Sequence, residues 1–149
     1  MGTVSKSFNY REFEFTNQTS LRVKNTIASV EVRDNVKALV DEVLQPLRDA
    51  WGKPLYINSG YRCPEVNKIA GGQPTSQHLK GEAADVCPFG VMGSGDTATV
   101  TELARLLVKL DLPFDQLGLY NTMIHISHKR EGAQRKMIFY SKTYRGEKI

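Results

Sequence analysis

Apolar positions at intervals of three and four predict two amphipathic helices. The first covers about Ser29 to Trp51, and the second covers about residues 98–110. Such spacing places the apolar side chains on one face of a helix. Pro46 interrupts the first pattern, so we expect a kink or an end near Gln45.

Shorter apolar stretches between turn-forming residues predict β-strands. Their approximate positions are 55–59, 83–87, 114–120, 123–128 and 136–141. A short helix is expected over 64–70, because proline is well tolerated in the first turn of a helix, and a loop is expected over 88–96. Because the last strands follow one another without a helix between them, the order favours an α+β fold in which helices flank a small antiparallel sheet.

The length and composition are typical of one globular domain. The chain has 149 residues, of which 40% are hydrophobic and 24% are charged, so we expect a single domain over 1–149. Residues 1–28 are polar with scattered aromatic side chains and predict an irregular segment that packs on this domain. No apolar run approaches the roughly 20 residues of a membrane span, and the start lacks the apolar stretch of a secretory signal.

The chain is moderately basic. Twenty Lys and Arg residues against sixteen Asp and Glu residues give a net charge of +4. A basic surface attracts anionic polymers such as nucleic acid or cell wall. The sequence contains no helix-turn-helix, zinc-finger or aromatic RNA-binding pattern. A nucleic-acid partner therefore rests on charge alone, and we do not expect one.

The two cysteines are expected to be free thiols. Cys63 and Cys87 do not form a CxxC pair, and without a secretory signal the default is a reducing compartment. Cys63 has no histidine near it in sequence, so a nucleophilic role is not expected.

Three histidines offer the most informative chemistry. His78 lies in the segment SQHLKGEAAD, and His125 and His128 lie in the segment MIHISH. In the predicted strand, His125 lies on a polar face opposite two isoleucines. With Asp85, His78 and His125 supply two nitrogens and one carboxylate oxygen, a set that leaves one position for water in a catalytic zinc site. Taken alone, this combination is weak evidence for a metal site, and a surface His78, a capping Asp85 and a His128 packed in the sheet explain the residues more readily.

Three segments of the sequence resemble the zinc D-Ala-D-Ala carboxypeptidase-like peptidases. They are SGYR at 59–62, SQHLKGEAAD at 76–85, which matches the family signature SxHxxGxAxD, and HIS at 125–127. The family also includes the vancomycin-resistance dipeptidases, phage endolysin peptidases and, distantly, the hedgehog signalling domain. The chain looks most like the small, single-domain bacterial and phage branch, which implies a hedgehog/DD-peptidase-like fold.

The resemblance implies a role for each matching residue. The zinc ligands are matched by His78, Asp85 and His125. One Zn²⁺ per chain is therefore implied. Arg62 matches an arginine that orients the substrate or stabilises the oxyanion, and its planar, permanently charged guanidinium suits both tasks. Ser76 and Gln77 are expected to bind substrate, although a turn or cap explains Ser76 equally well.

The general base is the point at which the chain departs from the family pattern. Many relatives have Glu or Asp three residues before the last zinc ligand, and Thr122 stands there in this chain. Asp115, Glu82 and His128 are the candidates that remain, unless the metal-activated water acts with little help. We place Asp115 in the catalytic set, together with Arg62 and His128 as groups that stabilise charge on the substrate.

These observations predict a zinc metallopeptidase that cleaves peptidoglycan stem peptides as a carboxypeptidase, dipeptidase or endopeptidase. Because no acid stands at the usual position of the base, the alternative is a non-catalytic zinc-binding module for cell-wall fragments or a protein partner. We expect a monomer that is made in the cytoplasm without a signal peptide. It reaches the cell wall by a non-classical route or by phage lysis, which fits a phage or prophage origin.

Overall fold

The computed structural model describes residues 2–88 and 96–149. The helices in these ranges are α1 (Tyr10–Glu14), α2 (Val30–Leu39), α3 (Gln45–Trp51), α4 (Pro64–Ile69) and α5 (Thr97–Lys109). The strands are β1 (Leu55–Ser59), β2 (Ala83–Pro88), β3 (Gln116–Leu119), β4 (Ile124–Ser127) and β5 (Met137–Tyr140). All the predicted strands are present, whereas most of the loop predicted at 88–96 lies outside the described residues.

The strands of the described ranges form one mixed sheet in the order β1-β2-β4-β3-β5. Neighbours from β1 to β3 pair antiparallel, but β5 runs parallel to β3. The α+β class is confirmed, and the expectation of a wholly antiparallel sheet is wrong for this last pair. Since β4 is already hydrogen-bonded to β2 and β3, β5 joins at the free edge of β3. It begins beside the start of that strand, where Met137 pairs with Gln116.

The hydrophobic core lies on one face of the sheet. Side chains alternate along each strand, and the core face contributes Ala84, Val86, Leu117, Leu119, Ile124 and Ile126, all completely buried. Helix α5 packs against β2 and β3, and α3 packs against α5. The opposite face of the two central strands carries Asp85 and His125.

The first predicted helix contains an irregularity, as Pro46 led us to expect. A π-helical segment, Val40–Leu44, joins α2 to α3. Proline lacks an N–H, and its ring crowds the carbonyl group four residues earlier. A wider π turn removes that conflict, so the helix continues to Trp51 and does not end near Gln45. No helix in the described ranges combines the length and apolar character that a membrane span requires.

The N-terminal segment contains α1, which the sequence did not predict, and it packs on the chain that leaves β1. Phe13 is completely buried, and a Cβ on Gly60 would lie 2.7 Å from the Phe13 Cα, so only glycine fits there. The Asn25 side-chain amide donates to the carbonyl oxygen of Tyr61 (3.1 Å), and its oxygen accepts from the backbone N–H of Cys63 (2.7 Å). The segment thereby fixes the backbone around Gly60.

Both cysteines are free thiols, as the sequence predicted, and both are buried. Burial also raises the pKa of the Cys87 thiol. A buried thiol in apolar surroundings is a poor nucleophile, so the two side chains contribute to packing.

Candidate metal centre and cleft

One row of residues crosses the sheet at the candidate site. The strand register aligns Ser59 with Asp85, Asp85 with His125, His125 with Gly118, and Gly118 with Phe139. Residues directly opposite each other on paired strands project to the same face. Asp85 and His125, forty positions apart in the chain, therefore meet side by side on the two central strands.

His78 reaches this row from a 3₁₀ turn, Gln77–Lys80, that precedes β2. The hydroxyl of Ser76 accepts a hydrogen bond from the backbone N–H of His78 (3.1 Å) and caps the turn. Gly81 ends the turn with a φ of 73°, a left-handed conformation that favours glycine. A Cβ on Gly81 would also lie 2.8 Å from a backbone oxygen of α2. The chain therefore reverses closely enough for Asp85 to face His78.

His78, Asp85 and His125 converge on one point. One potential ligand atom from each of them lies within 4.8 Å of the others. Oδ1 of Asp85 is 3.3 Å from Nε2 of His78 and 3.0 Å from Nδ1 of His125. Ligand atoms about 2.0–2.2 Å from a tetrahedral zinc ion lie roughly 3.3–3.6 Å apart. The observed spacings suit one such ion after a small adjustment of the side chains.

The backbone around Gly60 sets the orientation of His78. Nδ1 of this buried histidine, 2% exposed, donates to the carbonyl oxygen of Gly60 at 2.6 Å. A proton is thus held on Nδ1, and Nε2 is the nitrogen that faces Asp85. Histidine ligands of metal ions are commonly fixed by such a second hydrogen bond, so the donor chemistry fits a metal ion.

Arg62 holds the second oxygen of Asp85. Its Nη2 donates to Oδ2 of Asp85 at 3.1 Å, and its Nε donates to the hydroxyl of Ser59 at 2.9 Å. Burial raises the pKa of Asp85, but hydrogen bonds from His125 and His78 outweigh burial and keep this pKa below its ordinary value. Asp85 is therefore an anion whose Oδ1 faces the two histidines. Two nitrogens and one carboxylate oxygen are a donor set that suits zinc.

A cleft lies beside His125, toward β3 and β5. Its described lining consists of Gln73, Thr75, Ser76, Gln77, Gln116, Tyr120, His125, Arg135 and Phe139. Ser76 and Gln77, two of the three predicted substrate-binding residues, belong to it, whereas the third, Arg62, lines a different cavity. Gln116, Tyr120 and Phe139 were not predicted as site residues, because no sequence motif marks them. The only indication in the sequence was the alternation of side chains between the two faces of each predicted strand.

Phe139 and Tyr120 form an aromatic wall of the cleft. The Phe139 ring centroid is 6.0 Å from that of His125 and 6.4 Å from that of Tyr120. Gly118 makes this arrangement possible, because a Cβ there would overlap with the Phe139 ring. Burial raises the pKa of Tyr120, so its phenol stays protonated and remains a hydrogen-bond donor.

Asp115 and His128, two predicted catalytic residues, are not among the described lining residues of this cleft. Asp115 is completely buried and accepts hydrogen bonds from Nη2 (2.7 Å) and the backbone N–H (2.7 Å) of Arg135. Burial raises the pKa of Asp115, yet the hydrogen bonds from Arg135 keep it below its ordinary value. A carboxylate stabilised in this way is a weak base. Nδ1 of His128 donates to the carbonyl oxygen of Pro113 at 2.6 Å.

None of the described lining residues of the cleft is a carboxylate. Thr122, at the usual position of the base, lines a separate cavity together with Tyr56 and Cys87. Glu82 lines a different cavity, together with Asn35 and Arg130, but its Oε1 accepts a hydrogen bond from Nε2 of the lining residue Gln77 at 3.4 Å. Of the three candidate bases, Glu82 and Asp115 each contact a lining residue, but Glu82 contacts the neutral Gln77, whereas Asp115 is held in an ion pair with Arg135.

An α+β fold with a His-Asp-His cluster beside a cleft defines a candidate metal centre of the kind found in small zinc peptidases. The family model described as Peptidase M15 matches residues 6–127, which is most of the chain. The chain belongs to this metallopeptidase family, the zinc D-Ala-D-Ala carboxypeptidase-like peptidases, as the resemblance implied. The matched range contains the whole cluster, whereas Arg135 and Phe139 lie beyond it. A comparison with curated proteins finds no match.

Proposed function

We propose that this protein is a zinc-dependent metallopeptidase that hydrolyses stem peptides of peptidoglycan and acts at the cell wall. The observation that carries the proposal is the convergence of His78, Asp85 and His125 beside a cleft in a member of a metallopeptidase family. Zinc in such a site lowers the pKa of a coordinated water and polarises a carbonyl group. Peptidoglycan peptides are the substrates of the relatives that the signature resembles.

Residues around the cluster position Asp85 and contact the substrate in this proposal. Arg62 holds Asp85 in place through Oδ2. Tyr120 presents a phenol that donates to the carbonyl oxygen of the substrate, and Phe139 offers an apolar surface for a substrate side chain. Ser76 and Gln77 line the cleft beside His125 and contribute polar side chains for contacts with the peptide backbone.

Glu82 is the general base in this proposal. Its carboxylate accepts a hydrogen bond from the lining residue Gln77, whereas Asp115 is held in an ion pair with Arg135. General bases typically contribute about 10²–10⁴ in rate. Glu82→Gln is therefore expected to lower kcat by at least about tenfold with little change in KM. An unchanged kcat would remove Glu82 from this role.

Turnover of soluble stem peptides by the zinc-loaded chain tests the proposal. We expect cleavage by the wild type, loss of cleavage with a chelator and recovery with zinc. His125→Ala and Asp85→Asn are expected to lose both bound zinc and cleavage. Asp41→Asn is the matched control, since Asp41 lies in an exposed ion pair with Lys37 (2.9 Å) outside the cleft. Cleavage that persists in zinc-free His125→Ala contradicts the proposal, and the products decide which peptide bond is broken.

A non-catalytic zinc-binding module is the second candidate. Two observations favour it: the described lining of the cleft contains no carboxylate, and Thr122 replaces the usual base. Such a module binds stem peptides or cell-wall fragments in the presence of zinc and releases no product. Chromatography of the peptide after long incubation with zinc-loaded protein separates the two candidates.

A further inference from the structure

Strand β5 is an open edge of the sheet. Its one neighbouring strand in the described ranges is β3. The backbone N–H groups of Met137 and Ser141 donate to carbonyl oxygens at the two ends of β3, at 2.9 Å each. Because the backbone groups of successive residues point to opposite sides of a strand, those of Phe139 also face β3. Ile138 and Tyr140 therefore direct their N–H and C=O groups outward, away from the sheet.

The outward backbone groups have no partner within the described ranges. No hydrogen bond in those ranges involves the N–H or C=O of Ile138 or Tyr140 on this side. The other edge of the sheet is different, because α1 packs against β1. Unpaired groups along an edge strand are a template on which another strand can form. An extended peptide that joins a sheet at such an edge is held by main-chain hydrogen bonds.

Exposed apolar side chains lie on both faces of β5. Ile138 is 38% exposed and Met137 is 42% exposed, and the alternation of side chains puts them on opposite faces. Phe139 shares the face of Met137 and is partly buried. Side chains directly opposite each other on neighbouring strands stabilise the pairing. A strand added at this edge therefore gains apolar contacts on each face as well as hydrogen bonds.

Positive charge is concentrated around this edge. Residues 129–149 contain seven Lys and Arg residues and two Glu residues, a net charge of +5, whereas the remaining residues carry −1. Lys142 and Arg145, which follow β5, are exposed, and their side chains have no ion pair or hydrogen bond in the described ranges. Lys136, which precedes β5, lies 3.3 Å from Asp111. Such a field attracts a ligand of negative charge and disfavours one of positive charge.

The same charges disfavour a second copy of this chain at the edge. Antiparallel pairing of two copies that uses all the outward groups puts Ile138 of each copy opposite Tyr140 of the other. Lys136 of each copy then lies near Lys142 of the other, so two pairs of like charges meet. Like charges opposite each other destabilise strand pairing, and lysine at a sheet edge commonly protects against self-association. An acidic strand meets no such repulsion.

We propose that the open edge of β5 is a docking site for an extended, acidic segment of a partner protein, which joins the sheet as a further strand. The inference goes beyond the proposed peptidase function and needs no bound metal. The family model matches residues 6–127, so β5 and the basic residues around it lie beyond the matched range. Because Phe139 also forms a wall of the cleft, the docked segment lies next to that cleft.

A designed peptide of alternating valine and threonine with a glutamate at each end serves as the probe. Its Kd for the wild-type chain is measured at low salt by fluorescence anisotropy. Two reference peptides carry lysine at each end or a methyl group on every internal amide nitrogen. Exposed charge pairs are individually weak, so we expect the lysine-ended peptide to bind at least about fivefold more weakly. Methylation removes the donors that strand addition requires, so we expect the methylated peptide not to bind.

Hydrogen exchange followed by NMR locates the bound probe. In the free chain, we expect the amide protons of Ile138 and Tyr140 to exchange faster than those of Met137 and Phe139, which bond to β3. The probe is expected to slow exchange at Ile138 and Tyr140. Slowed exchange along β1 instead, or at neither edge, contradicts the inference.

Substitutions at the edge test the backbone and the charge separately. Ile138→Pro removes one outward N–H and none of the hydrogen bonds to β3, so it is expected to weaken binding by about 2–10-fold. Ile138→Thr keeps that N–H and is its control. Lys142→Glu is expected to weaken binding of the probe, and Lys53→Glu, at an exposed lysine before β1, is the matched control for charge. Thermal unfolding establishes that each variant is folded.

Four results overturn the inference. They are absence of probe binding, equal affinity for the three peptides, unchanged affinity in folded Ile138→Pro and Lys142→Glu, and tighter binding of a single-stranded DNA hexanucleotide than of the probe. Sedimentation of the wild-type chain is expected to show a monomer. A dimer that Ile138→Pro dissociates assigns the edge to a second copy and likewise overturns the inference.

Discussion

Replacement of Arg62 tests whether this side chain acts on a metal ligand or on the substrate. Resemblance to the family implied a substrate role, whereas in the structure Arg62 donates to Oδ2 of Asp85. Its Nε is bonded to Ser59, and its Nη1 lies 3.4 Å from Oδ1 of Asn67. All three nitrogens of the guanidinium are therefore engaged with the protein, and we expect Arg62 to act through Asp85.

The size of the effect follows from the burial of the pair. The side chains of Arg62 and Asp85 are only 14% and 10% exposed. A hydrogen bond to a charged group contributes about 1.5–3 kcal/mol, and loss of a residue that supports a metal ligand typically lowers metal affinity by about 10–100-fold. These two ranges agree, since about 1.4 kcal/mol is a factor of ten. We expect Arg62→Ala to weaken zinc binding by at least about tenfold.

Competition with a chromophoric chelator measures the zinc affinity, and stem-peptide turnover is followed in parallel at saturating zinc. Arg62→Lys is expected to fall between wild type and Arg62→Ala, because a single ammonium group cannot reproduce the planar fork. Arg105→Ala on α5 is the control for loss of an arginine. An unchanged zinc affinity together with a large loss of kcat would refute this reasoning and assign Arg62 to the substrate.

Three further outcomes are expected. Gly118→Ala should displace the Phe139 ring and lower the unfolding free energy by about 1–3 kcal/mol, and thermal unfolding identical to that of the wild type contradicts this. Because the folded-state pKa of Asp115 lies below its ordinary value, this residue stabilises the fold above about pH 4, and the contribution declines as the pH falls through the folded-state pKa. We therefore expect the unfolding free energy, measured with denaturant from neutral to acidic pH, to fall less for Asp115→Asn than for the wild type. An equal fall in the two proteins argues against the ion pair. Alkylation of the denatured protein without reductant should modify both cysteines, and a count of zero contradicts free thiols.

Local sequence patterns were sufficient for most helices and strands. The three-and-four spacing of apolar residues, a proline in the first turn and short apolar stretches between turn-forming residues all depend on near neighbours, so the sequence alone predicted α5, α4 and all five strands. It also predicted the disturbance at Pro46, because the missing N–H and the ring are local effects. It missed α1, which has only five residues and is held by the burial of Phe13 against Gly60.

The candidate ligands could be named from the sequence because a short motif and one strand hold all of them. His78 and Asp85 are seven positions apart, joined by a turn that Gly81 permits, and His125 was recognised by its likeness to the last family segment. Their convergence is a property of the fold, and their role as zinc ligands stays a prediction until bound metal is measured. The proposed route to the cell wall is likewise untested.

Only the tertiary structure determined which side chains surround those three residues. The parallel pairing of β5 with β3 brings Phe139 over Gly118 and toward His125, and no pattern within β5 specifies its partner. In the same way, Asp115 appeared in the sequence as a candidate base, but the loop before β5 places Arg135 on its carboxylate. The chain itself determined the elements and the metal-binding motif, since both depend on near neighbours. The fold determined the cleft, because strand pairing and buried ion pairs join residues that are distant in sequence.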